Sequence, residues 1–71
     1  MKKVRIGDFN YRAKHAGKRN GKDIYEYQFQ PLMFGRIPMP WESFYGTYSL
    51  EWIKKDVKEK SLAKGTIAKI D

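Results

Sequence analysis

The chain has no cysteine and one histidine, His15, and these two shortages remove several chemistries at once. Without thiols there is no disulfide to staple a small fold and no thiolate ligand for zinc or an iron–sulfur cluster. One histidine among scattered acids builds no metal-ligand spacing, so neither a metal nor any other cofactor is expected. Long apolar runs are also missing. None approaches the ~20 residues of a membrane-spanning helix, and the opening "MKKVRIGD" lacks the apolar stretch of a secretory signal. A cytoplasmic location without a membrane partner is therefore expected. The glycines of "GKRNGK" lack the spacing of a phosphate loop. Asp56 and Glu59 lie three apart but among Lys55, Lys58 and Lys60, a pattern that surface ion pairs explain. His15 has no carboxylate close to it in sequence. The chain is not expected to be an enzyme.

Acid is scarce in one place in particular. Residues 1–22 hold eight lysines and arginines against Asp8 alone, whereas residues 23–71 hold seven basic and seven acidic side chains. The whole net charge of +7 thus falls in the first third. Such asymmetry is the footprint of a polyanion partner, most often nucleic acid. Seventy-one residues bound one small domain, residues 1–71, near the size limit at which packing alone sustains a fold.

Alternation with period two marks the first half. Val4 and Ile6 alternate with Lys3 and Arg5, Gly7-Asp8 interrupts, and the pattern resumes at Phe9, Tyr11 and Ala13, predicting strands over 3–6 and 9–15. "AGKRNGK" follows as a basic loop containing Asn20-Gly21, a dipeptide suited to positive backbone angles, and it reads as a loop longer than two residues. A third strand from about residue 23 to residue 30 carries Tyr25, Tyr27 and Phe29 on one side. Paired with the second, it gathers these rings with Phe9 and Tyr11 on one face, as the core of a domain that has few other large apolar groups. Asn10, Arg12, Lys14, Glu26 and Gln28 fall on the other face.

Residues 30–44, "QPLMFGRIPMPWESF", break the alternation. Pro31, Pro38 and Pro40 donate nothing to a ladder, so most of this stretch reads as a connection, though an unusually apolar one. Residues 48–65 hold the helix signal: Ser49 as N-cap, Glu51 in the first turn, Leu50, Ile53 and Val57 at helical spacing with Leu62 extending the stripe imperfectly, and Gly65 at the end. "TIAKI", residues 66–70, is a candidate closing strand.

These elements predict an α+β domain: a small curved antiparallel sheet of three to five strands with one helix near residues 49–64. An SH3-like small β-barrel is the alternative. The leading functional expectation is non-catalytic binding of nucleic acid, DNA or RNA, with phosphates held by Arg12, Lys14, Lys18, Arg19, Asn20 and Lys22 of the basic N-terminal hairpin. The alternative is a small accessory or phage-like protein that inhibits or modulates a host protein through residues 32–41. There Met33, Phe34, Arg36, Met39 and Trp41 have the composition of an interface core. Self-association through an edge strand is a third class.

Overall fold

Alternating side chains need a partner strand to bury one of their faces, and the chain supplies it by folding back on itself. In the computed structural model, which describes residues 1–66, 69 and 70, the element order is β1 (Val4–Ile6), β2 (Phe9–Arg19), β3 (Lys22–Met33), β4 (Ile37–Pro38), β5 (Glu42–Ser43) and α1 (Leu50–Ala63). The strands form one five-stranded antiparallel sheet in the order β1-β2-β3-β4, with β5 also pairing with β3. At about 3.3 Å per residue the eleven residues of β2 extend roughly 36 Å, so the β2–β3 hairpin accounts for most of the 41 Å long dimension. The sheet stays open among the described residues, and the α+β architecture, not the SH3-like barrel, is the one formed. Of the expected closing strand 66–70, Ile67 and Ala68 lie outside the described residues; Thr66, Lys69 and Ile70 are not in a strand.

Tyr11 pairs with Phe29 and Ala13 with Tyr27, which puts the rings on one face as their alternation requires. Against that face α1 lays Ile53 and Val57, both fully buried, to form a core with Val4, Ile6, Tyr11 and Tyr27. Burial of such side chains contributes about 1.5 to 3 kcal/mol each. Tyr27 is the hub: its ring lies 4.5 Å from that of Phe44, 6.1 Å from Tyr11 and 6.2 Å from Tyr48. Phe9, at the sheet margin, stays exposed.

The helix ends are closed by local hydrogen bonds. The Ser49 hydroxyl oxygen accepts from the Trp52 amide at 3.2 Å. At the far end the Thr66 and Gly65 amides donate to the Ser61 and Leu62 carbonyls at 3.1 and 3.0 Å, and the Ser61 hydroxyl donates to the Thr66 carbonyl at 2.7 Å. This end also explains why the buried stripe runs from Val57 to Ser61 and leaves Leu62 exposed. Ser61 lies one turn beyond Val57 on the same face, and its hydroxyl is satisfied there.

The apolar segment after β3 is not the open connection its prolines predict. Met33 and Ile37 pair across a tight turn at Phe34-Gly35, where both residues have positive φ, 54° and 72°. Pro31 fits within β3 because its nitrogen faces the break between β4 and β5; the Pro31 carbonyl on that side accepts the Met39 amide at 2.9 Å.

Candidate functional site

Two registers meet in the β2–β3 hairpin, and their mismatch decides which way each basic side chain points. The aromatic face requires His15 opposite Tyr25, Ala13 opposite Tyr27 and Tyr11 opposite Phe29. The two-residue turn Asn20-Gly21, with φ of 52° and 78°, requires Arg19 opposite Lys22, Lys18 opposite Asp23 and Gly17 opposite Ile24. These patterns are one residue out of step. A bulge between His15 and Gly17 absorbs the difference, so the ladder continues to the tip and the expected longer loop does not form. As a consequence Arg12, Lys14 and Arg19 share the outer face of the hairpin, away from α1, and Lys22, opposite Arg19 in register at the tip, also borders the groove toward α1. Lys18 falls on the opposite face, paired across the strands with Asp23.

Surroundings divide these cations into two groups. Lys18, Arg19, Asn20 and Lys22 form the exposed tip, with Asn20 occupying the left-handed position that the turn needs. Arg12 is half-buried: its Nε donates to Gln28 Oε1 at 2.7 Å, and its guanidinium lies 3.9 Å from the centre of the Trp41 ring. Gln28, itself buried, donates from Nε2 to Glu26 Oε2 at 3.0 Å and to Ser43 Oγ at 3.3 Å. Lys14 faces Glu26 across the ladder. The outer face is thus a packed polar layer at its base and a free cationic ribbon at its tip. Arg12, expected only among the phosphate contacts, and Trp41, expected only among the protein contacts, are stacked on each other.

The remaining residues of the second candidate set are split as well. Met33, Phe34 and Arg36 are exposed around the β3–β4 turn, together with Ile37, whereas Met39 is half-buried. Phe34 is 84% exposed although its backbone is left-handed, a conformation costing about 1 to 2 kcal/mol for a residue with a Cβ. The turn is held in place by Arg5, which donates from Nη2 to the Gly35 carbonyl at 2.5 Å and from Nε to the Gly7 carbonyl at 3.2 Å.

On the helix side lies a group that periodicity did not mark. A groove of about 540 Å³ separates the hairpin from the start of α1 and is lined by Lys22, Asp23, Tyr25, Ser49 and Glu51. Flanking its lining residues Ser49 and Glu51 in sequence, the Tyr48 and Trp52 rings stack at 4.7 Å with 19° between their planes, Trp52 being 49% exposed, and Tyr45 nearby in sequence is 99% exposed. Trp52 lies off the helix's apolar stripe of Ile53 and Val57. His15 meets a carboxylate here after all: Asp23, eight residues away in sequence, comes to 3.0 Å across the hairpin.

Further along the helix, α1 is tied to the sheet by the Asp56 carboxylate, whose Oδ2 accepts from the Tyr27 hydroxyl and from Lys60 Nζ, both at 2.7 Å. Burial raises the Asp56 carboxyl, but these two hydrogen bonds and the lysine charge outweigh it and hold the group below its ordinary value. The Tyr27 hydroxyl is pushed far up, first by burial and then by its bond to Asp56. Lys60 also lies 5.7 to 6.0 Å from the ring centres of Phe44, Tyr27 and Tyr11. Among the described residues no three histidines or acids come together as a metal site, and no helix is long and apolar enough to cross a membrane. No protein-family model matches this chain, and no curated protein and no solved structure matches it.

Proposed function

We propose that this chain is a non-catalytic nucleic-acid-binding protein that takes phosphates on the outer face and tip of the β2–β3 hairpin. The observation that carries the reading is the sorting of Arg12, Lys14 and Arg19 onto one face, with Lys18, Asn20 and Lys22 at the same tip, while α1 covers only the other face. A two-stranded ribbon of this kind fits a groove or follows a backbone, and its lysines and arginines displace counterions from phosphates. Because Arg12 is already bound to Gln28 and Trp41, most of the affinity falls to the tip. The test is the salt dependence of binding to duplex DNA. The slope of log affinity against log salt is about −0.9 per phosphate neutralised, so Lys18→Ala with Arg19→Ala is expected to flatten it by roughly two. Absence of binding to any nucleic acid at low salt overturns the reading.

A second reading, a protein that docks on another protein and modulates it, is favoured by one observation, the exposed and strained Phe34 at a turn held by Arg5. Phe34→Asp is expected to keep the fold and abolish capture of a partner under that reading. Retention of every nuclease-resistant partner removes it.

A further inference from the structure

We infer that the nucleic acid taken by this protein is single-stranded, and that an unpaired base stacks on Trp52 beside the groove between the hairpin tip and α1. The inference rests on the phosphate-binding reading and adds to it the form of the ligand. Three features of the helix side support it. Trp52 offers a half-exposed indole that is already flat against Tyr48, so the stacking surface is held in one orientation before any ligand arrives. The groove lined by the adjacent Glu51, about 540 Å³, is roomy enough for a base, which a duplex would have to unpair and swing out. Its lining mixes one cation with two acids: Lys22 can take a phosphate, while the Asp23 and Glu51 carboxylates can accept from the exocyclic amino group of an adenine, cytosine or guanine. Acids in that position repel a continuous phosphate backbone and are compatible with a base edge. Tyr45, fully exposed a few residues before Tyr48, offers a second ring to the next base.

The cations fit the same geometry. Lys18 lies on the helix side of the hairpin, Lys22 borders the groove and Arg19 lies on the outer side, so a strand whose base enters the groove has positive charge on both flanks of its backbone. A single strand can present an unpaired base to one side and its phosphates to another, whereas a duplex keeps its bases paired between its two backbones.

Fluorescence anisotropy with three labelled probes tests the inference: a short single strand of mixed sequence, the duplex of the same sequence, and a single strand of equal length in which abasic sites replace the central bases. At matched low salt the intact single strand is expected to bind about tenfold more tightly than the abasic one, as loss of one stacked base implies. Trp52→Ala should remove that advantage and leave the duplex affinity unchanged. In a Trp41→Phe background, the remaining Trp52 emission should be quenched by the intact single strand and hardly by the abasic one. Equal affinity for intact and abasic strands, or tighter binding of the duplex, overturns the inference while leaving the phosphate reading in place. Failure of all three probes to bind removes the phosphate reading itself. The abasic comparison uses the unaltered protein, so it decides even if Trp52→Ala unfolds.

Discussion

Asp56 is the residue at which folding and pH meet. Its carboxylate joins the Tyr27 hydroxyl on the sheet to Lys60 on the helix, each at 2.7 Å. Asp56 titrates below its ordinary value in the fold, so its contribution to stability is complete above the unfolded value near 3.8 and is lost as pH falls through the folded value. Tyr27 behaves oppositely. Its folded value lies above the ordinary 10.0, so its contribution is complete below that pH and is lost as the solution becomes more alkaline. Thermal melts across pH should therefore fall at both ends. Asp56→Asn should flatten the acid limb and Tyr27→Phe the alkaline limb, the latter costing about 1 kcal/mol near neutrality for the lost hydrogen bond. An alkaline limb unchanged in Tyr27→Phe would mean that the remaining tyrosines, not this pair, set it. Tyr27→Ala should be far more severe, about 3 to 5 kcal/mol, because it also empties the centre of the aromatic core.

At the scale of elements the bulge in β2 tests how the hairpin is specified. Two local demands compete, the ring alternation and the Asn20-Gly21 turn, and a bulge between His15 and Gly17 lets both be met. Deleting Ala16 brings the two registers into step, so the fold and its melting temperature should be retained. Deleting Ile24 from the facing strand doubles the mismatch and should lower stability by about 1 to 3 kcal/mol. A larger loss from the Ala16 deletion would show that the bulge's extra twist, not its register, is what the fold needs. The same competition marks the limit of what the residues reveal in advance. Strong periodicity at Tyr11, Tyr27, Phe29, Ile53 and Val57 made the strand pair, its inner face and the helix legible. The hairpin length was not, because a one-residue register conflict has two remedies, a longer loop or a bulge, and spacing does not rank them. The β3–β4 turn escaped notice because the first of its two left-handed residues is Phe34, where the other turn has the asparagine of Asn20-Gly21. The basic tip was legible as a charge cluster. The stacking of Arg12 on Trp41 joins residues 29 apart and depends on where the segment after β4 returns, which no local pattern encodes.

At the scale of the whole molecule the same positive charge should act on stability and on binding with opposite signs. A net charge of +7 on 71 residues repels itself, and the β2–β3 hairpin carries a net three of those charges, with Lys18, Arg19 and Lys22 close together at its tip. Compaction brings those charges together and so costs free energy at low salt. The Debye length shrinks from about 30 Å at 0.01 M salt to about 8 Å at 0.15 M, from near the 41 Å length of the molecule to well below it. The melting temperature should therefore rise over that range, while under the proposed function affinity for nucleic acid should fall, because releasing the same counterions into a saltier solution gains less entropy. Reversing the tip with Lys18→Glu and Arg19→Glu should uncouple the two. It lowers the net charge by four, which should raise the low-salt melting temperature and weaken its dependence on salt. Under the proposed function it should also abolish binding, since the residues changed are those proposed to take phosphate. Circular dichroism melts and anisotropy titrations on the same samples measure both effects. A variant that melts higher but binds as before would detach the charge excess from function and locate the ligand elsewhere. If it melts lower, Lys18 and Arg19 contribute to the hairpin through contacts that outweigh their repulsion.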